Sequence, residues 1–384
     1  LTIYSALPIK GPQAPLMRDI YNGELLALEQ AHTSHHDLNV NLFPLDDGNA
    51  GGWDPSDAQT AAVQATQDPD AIAYIGDWDS GASATTLQIT NKAGILQVSP
   101  SSPYLGLTDA SPVDQAGEPG RYYPSGVQTF ARLVPSDLEE AVATAQFMHS
   151  LPSVTSVYVL ADDSPYNGPF DSAIAPMVAG DAAKDGITVA GRAQIDTAAT
   201  TQPAGYASVV AAIAASHATA VFVGAAPDPG ALALWQELYQ QLPGVALFAP
   251  STLGVGPFLD KLGDATSDTY VTSPILAWRW YPRRARKLEK LYQRDYRKRW
   301  VSPVMLYGYE AMESVLAAIN IAGKDATKAL VVRTYFHLGT RDKSVIGRYY
   351  ITKNGDSSLS RFAGYRVGLA GNLIEIRRLN GAAG

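Results

Sequence analysis

Short apolar, β-branched runs alternate along this chain with longer stretches of helical period. Thr2–Leu7, Val40–Leu45, Ile72–Ile75, Val154–Leu160, Ile187–Ala190, Ala220–Val223 and Tyr270–Ser273 read as strands, and Leu16–His32, Ala58–Thr66 and Tyr206–Ser216 as helices between them. Strand and helix in alternation make parallel crossover units. One such unit is written twice. Residues 71–102 and residues 220–252 each run from an apolar strand ending in Gly (Gly76, Gly224) through a small-residue loop and a helix to a second strand and a Pro-Ser turn (Pro100-Ser101, Pro250-Ser251). Ligands of open parallel sheets sit beyond the carboxyl ends of the strands, so two copies predict two sheets with ligand-facing loops. The expected fold is α/β, with two doubly wound parallel-sheet lobes.

Between the repeats, residues 103–127 are rich in Pro, Gly, Tyr and Asp and read as an ordered surface excursion. Ser136 and Glu139 have the spacing of a capping box, opening a helix expected to bury Leu138, Ala141, Val142, Ala145 and Met148. Pro169 suits the first position of another helix. Beyond the second repeat come a basic helix over Arg283–Trp300, a helix over about 304–322 stopped by Gly323, and expected antiparallel strands at Gly347–Thr352, Tyr365–Leu369 and Leu373–Arg378.

Length and composition fit two lobes, since 384 residues at 46% hydrophobic can bury more than one core. No apolar run reaches the roughly 20 residues of a membrane helix. The chain starts at Leu1 on a strand, so a signal segment is expected to be absent from it. Without cysteine there is no disulfide, thiolate metal site or Cys nucleophile. Charge is uneven: residues 1–275 carry 8 Lys/Arg against 29 Asp/Glu, and residues 276–384 carry 21 against 8. A basic tail shared between two acidic lobes predicts a chain that crosses between them more than once, with basic segments paired to acidic surface of their own lobe.

Other chemistries find little support. His32, His35 and His36 could approach a metal, but no convergent acidic set joins them, and a solvated helix end is the reading adopted. The basic run at 283–299 lacks the whole-lobe positive field that nucleic acid requires. GxGxxG after a strand, a P-loop and a GxSxG elbow are all missing, and the loops offer binding groups without an activated nucleophile. No enzyme, cofactor or metal is expected.

The ordered set of Gly11-Pro12, the LeuAspAspGly of 45–48, the TyrIleGly…Ser…Gly of 74–81, the SerProSer of 99–101, the PheAlaArgLeuValProSerAsp of 130–137, the AspAspSer…TyrAsnGly of 162–168, Tyr309-Glu310-Ala311 and the GlyArgTyrTyrIle…AsnGlyAsp of 347–356 resembles a type I periplasmic binding protein of the branched-chain amino-acid class, the solute receptor of an ABC importer. The resemblance implies two lobes joined by three crossings, lobe 1 at 1–134 plus 276–338 and lobe 2 at 135–275 plus 339–384. It also implies a monomeric, extracytoplasmic receptor, periplasmic or lipid-anchored, that closes on a small polar solute in the interlobe cleft and docks on an ABC permease. The alternative is a ligand-sensing domain of a receptor or amide-responsive regulator with the same fold.

The family's carboxylate-holding positions fall at Ser80, Ser101 and Ser102, where a helix start offers N–H donors to an anion. Ser80 reads equally as a plain helix cap. Tyr166 matches a closing aromatic, or packs at the hinge, and Trp78 stands where a smaller residue is usual. The second repeat contributes Ala226, Asp228 and Ser251. The resemblance places an ammonium-binding acid at Ser251 or Thr252, neither charged. A buried unpaired ammonium is costly, so either Asp228, Asp163 or Asp79 substitutes, or the solute is a carboxylate, amide, aromatic acid or urea-like molecule without that group.

Overall fold

The computed structural model describes residues 1–34, 39–110, 115–165 and 168–382. The chain divides into two units, the first from Leu1–Ala110, Ala116–Pro135 and Leu276–Leu359, the second from Ser136–Ile275 and Ser360–Gly384. In the first, β1 (Thr2–Leu7), β2 (Asn41–Asp46), β3 (Ala71–Ile75), β4 (Leu96–Ser99) and β5 (Phe130–Arg132) lie in the order β2-β1-β3-β4-β5. All pairings are parallel. β3 is buried along its whole length, as a parallel strand covered on both faces should be. The crossovers are α1 (Ala14–Ser34), α2 (Pro55–Gln67) and α3 (Ser80–Lys92). Asp54 starts α2 by accepting the N–H groups of Ser56 and Asp57, with Pro55 in the first turn.

The second unit begins with α4 (Asp137–His149) and continues as β6 (Ser156–Asp162), α5 (Ile174–Lys184), β7 (Thr188–Ile195), α6 (Ala207–Ser216), β8 (Ala220–Gly224), α7 (Pro229–Gln241), β9 (Ala246–Ala249) and β10 (Thr269–Ser273). The chain then returns to the first unit as α8 (Arg283–Asp295), α9 (Met305–Ala322) and α10 (Lys328–Tyr335), and ends in the second with β11 (Arg361–Val367) and β12 (Leu373–Asn380). The second sheet runs β12-β11-β10-β9-β8-β6-β7, with β11 antiparallel to β10 on one side and to β12 on the other. In both sheets the parallel strands follow one order: second, first, third, fourth, fifth. The repeated passages are therefore β3-α3-β4 and β8-α7-β9, at equivalent places in the two sheets. Strand order reverses between β1 and β3 and between β6 and β8, and the loops beyond those carboxyl ends are where such folds bind ligands.

Each unit has its own core. In the second, Phe147 meets Phe248 and Tyr270 edge-on at 5.6 and 5.9 Å, and Phe248 stacks on Tyr270 at 5.2 Å. Trp235 is fully buried and its indole N–H donates to Thr269 Oγ1 at 2.9 Å. In the first, α1 packs on α9 so closely that a Cβ on Gly23 would strike the Met305 carbonyl, and one on Gly308 the Ile20 carbonyl.

Four expectations change. Leu138 is 46% exposed; the capping box, present as predicted, turns Asp137 and Glu140 inward with Ala141, Thr144 and Met148, and leaves Leu138 outside. The first unit extends to Leu359 rather than stopping at 338, because Glu310 accepts hydrogen bonds from Arg341, Val345 and Tyr349. Residues 347–352 form no strand of a sheet, only the isolated bridges Arg341↔Tyr349 and Ile351↔Ser357. The basic helix ends at Asp295, ahead of Arg297, whose φ of 53° is left-handed. Of the cations in the basic run, Arg284 on the helix pairs with Glu313 and Lys298 beyond its end with Asp19, both within the first unit.

Candidate functional site

The loop after β3 begins at Gly76, whose φ of 145° only glycine adopts readily and whose missing Cβ leaves room for the Ala6 carbonyl. The tight turn aims Asp77 inward. Its carboxylate is fully buried and accepts from Tyr74 (2.9 Å), from Thr86 and from Gln97 (3.3 Å). Burial pushes its pKa up to about 6 against the pull of those donors. Asp79, at the start of α3, caps no N–H with its side chain. Burial, then the charge of Asp77, raises it to about 7. Asp47, at the end of β2, is also fully buried, and neither of its carboxylate oxygens has a hydrogen-bond partner. Burial and, second, the charge of Asp77 hold it well above the usual carboxylate range.

Among the predicted residues of this unit, Trp78 and Ser101 are partly exposed. The Ser101 N–H donates to Ser99 Oγ at 3.1 Å, which fixes the turn and leaves the Ser101 side chain at its surface. Ser80 is nearly buried, and its Oγ accepts the Tyr104 N–H at 3.2 Å, so its own hydroxyl proton remains to be given. Ser102 is different. It is fully buried at φ 53°, its N–H donates to the Trp78 carbonyl, and its Oγ donates to the Asp77 carbonyl at 3.1 Å and lies 2.9 Å from Ser83 Oγ. It fastens the loop from beneath. Sequence reasoning missed the residue that holds this turn: Arg132, fully buried, donates to the carbonyls of Ser102 (2.8 Å) and Tyr104 (2.7 Å), to Thr108, and to Asp356. A lone Arg in a strand otherwise fit for burial was the available signal.

In the second unit the loops after β6, β8 and β9 hold the predicted residues. Asp162 is buried and accepts the N–H and hydroxyl of Ser164 and of Thr197. The Thr197 hydroxyl lies 3.0 Å from Asp162 and 2.8 Å from Asp228, with one proton to give. Asp228 caps α7 through the Ala231 N–H at 2.7 Å, and burial raises its pKa. Ala226 is buried beside it, its carbonyl accepting the Asp228 N–H at 2.9 Å. Asp163 is exposed. Tyr166 lies outside the described residues, as do His35 and His36; His32 is at hydrogen-bond distance from the Val40 carbonyl, 3.1 Å.

Ser251 carries the second residue missed in sequence. Glu140, in the first turn of α4 and 1% exposed, takes the Ser251 N–H on Oε1 at 2.5 Å and the Ser251 hydroxyl on Oε2 at 2.6 Å. Burial drives Glu140 up to about 8 although both hydrogen bonds pull it down. Thr252 Oγ1, next in sequence, is buried without a partner. The place that looked uncharged in sequence thus has a carboxyl group directly behind it.

A family model for periplasmic binding proteins matches residues 5–360. No curated protein sequence matches the chain. Among solved structures, similarity extends end to end. A leucine binding protein, LivK, from Thermotoga maritima is 18% identical with a TM-score of 0.78, covering 99% of each chain. A solute binding protein from R. palustris in complex with benzoate is 15% identical, TM-score 0.76, covering 99% of this chain and 96% of its own. LivJ from Streptococcus pneumoniae in complex with isoleucine is 13% identical, TM-score 0.76, covering 98% and 99%. At these identities the likeness is one of fold.

Proposed function

Because the chain belongs to the periplasmic binding protein family, we propose that it is an extracytoplasmic receptor that binds a small polar solute, an amino acid or a related carboxylate or amide, and delivers it to an ABC permease. It is a binding protein rather than an enzyme, and among the described residues no helix is long and apolar enough to cross a membrane. One observation carries the reading: both sheets reverse strand order at the same place and set hydroxyls, N–H groups and half-exposed side chains on the loops beyond it. We infer that Trp78, Ser80 and Ser101 on the loops of the first unit and Ala226, Asp228 and Ser251 on those of the second are solute-binding residues, and that Ser102 supports its neighbours from below. Solutes bound by the structural relatives span leucine, isoleucine and benzoate, which supports the class and leaves the member open.

A thermal-shift screen of amino acids, amides and aromatic carboxylates tests this. Solute at about 100 times its Kd should add about 2.7 kcal/mol to stability and raise Tm by several degrees. A screen in which no solute moves Tm overturns the receptor reading.

A further inference from the structure

Among the described residues, Glu140 is a buried acid without a cation. Its charged neighbour is Asp137, also acidic, and both of its oxygens are turned to one residue, Ser251. Glutamate at this depth normally comes with a paired charge. The first turn of α4 offers it some support through the helix dipole. That does not explain why both donors come from a residue on the ligand-facing loop after β9.

The proton count of Ser251 sets what it can do. A serine hydroxyl has one proton and two lone pairs. Where that proton goes to Glu140, Oγ is left able only to accept, with a carboxylate charge immediately behind it. Such a position fits an N–H donor, above all a cation. Next in sequence, Thr252 Oγ1 is also buried and unpartnered.

We propose that Glu140, acting through Ser251, is the counter-charge for an ammonium group on the solute, a positioning and specificity-determining residue of the receptor. This rests on the receptor reading above. It places the counter-charge on the helix that opens the second unit, behind the loop after β9, and it favours solutes that carry an amine over their amine-free analogues. The raised pKa of about 8 agrees: with no cation present Glu140 keeps its proton near pH 7, and an arriving ammonium ionises it, the proton passing to solvent.

The test uses the full chain with two probes that share a side chain and a carboxylate, L-leucine and 4-methylpentanoate, the second lacking the amine. Calorimetry is run at pH 7 in phosphate and in Tris, whose ionisation heats differ. Wild type should bind leucine at least about tenfold more tightly and show a buffer-dependent heat from the released proton. In Glu140→Gln the amide can still accept the Ser251 N–H, but its N–H donates to Oγ and turns the serine proton outward. Leucine binding should then weaken about tenfold or more, 4-methylpentanoate binding should hold or improve, and the buffer dependence should vanish. Ser251→Ala, which spares the acid, should lose the same preference. Equal weakening of both probes in Glu140→Gln, or a buffer-independent heat in wild type, overturns the proposal. Wild type that binds benzoate but not leucine also overturns it while leaving the receptor reading standing.

Discussion

Arg132 and Asp356, 224 residues apart, are joined at 2.8 Å through Nε and Oδ1, the guanidinium fully buried and the aspartate 21% exposed. The same guanidinium holds the Ser102 and Tyr104 carbonyls, so one side chain ties the last segment of the first unit to the turn that carries Ser101. Arg132→Ala removes several charge-assisted hydrogen bonds and leaves Asp356 without its counter-charge, only the Thr108 hydroxyl still donating to it. It should cost about 3–5 kcal/mol. Asp356→Asn, whose Oδ1 can still accept from Arg132, should cost about 1–3 kcal/mol. Urea unfolding of the two variants checks the order, and a loss below about 1 kcal/mol for Arg132→Ala would contradict this role.

Ser101 and Ser102 are adjacent and should behave oppositely. Ser101→Ala removes a partly exposed hydroxyl with no role in the turn beyond its N–H. The unliganded Tm should stay within about a degree, while solute affinity falls roughly tenfold, the worth of one good hydrogen bond to a charged group. Ser102→Ala strips a buried donor from the Asp77 carbonyl and should cost about 1–2 kcal/mol in the unliganded chain. Trp78→Ala belongs with the first kind. Parallel melting curves with and without solute separate the two effects.

The sequence revealed the alternation of elements because burial on both faces leaves parallel strands apolar from end to end, as β3 and β8 show. Loop placement followed from the glycines and Pro-Ser turns. What stayed hidden were side chains whose task depends on a partner far along the chain. Glu140 sits 111 residues from Ser251, and no periodicity marks it; the pattern even favoured Leu138 for the inner face, where Glu140 stands instead. Ser102 looked like its neighbour until its left-handed backbone and its bond to the Asp77 carbonyl were seen. The first repeat's hydroxyls suggested an anion holder, yet Asp77 and Asp79 place two acids at the same helix start. Charge in a buried site is a property of packing, not of spacing.

Gly308 on α9 faces the Ile20 carbonyl of α1, with no room for a methyl group. Because the obstacle is backbone, it cannot swing aside as a side chain would. Gly308→Ala should therefore destabilise by about 1–3 kcal/mol despite the better helix propensity of alanine. Chemical denaturation measures it, and a gain in stability would show that the two helices separate freely.

Asp47 should make stability depend on pH in a sense opposite to ordinary acid denaturation. Its pKa is raised in the folded chain by burial and by Asp77, so between about pH 4 and its folded value the native state binds a proton that the unfolded state has lost. Stability from this group is complete below the unfolded pKa and declines by at most about 1.4 kcal/mol per pH unit as pH rises. Asp77, at about 6, and Asp79, at about 7, act in the same direction. Asp47→Asn is close in shape to the protonated acid and carries no charge at any pH. The variant should match wild type at about pH 4, where the contribution of Asp47 is still nearly complete, and exceed it by about 1–3 kcal/mol at pH 8. Guanidinium titrations at the two pH values decide it, since an Asp47 that is ionised and well solvated in the native chain would give the same difference at both.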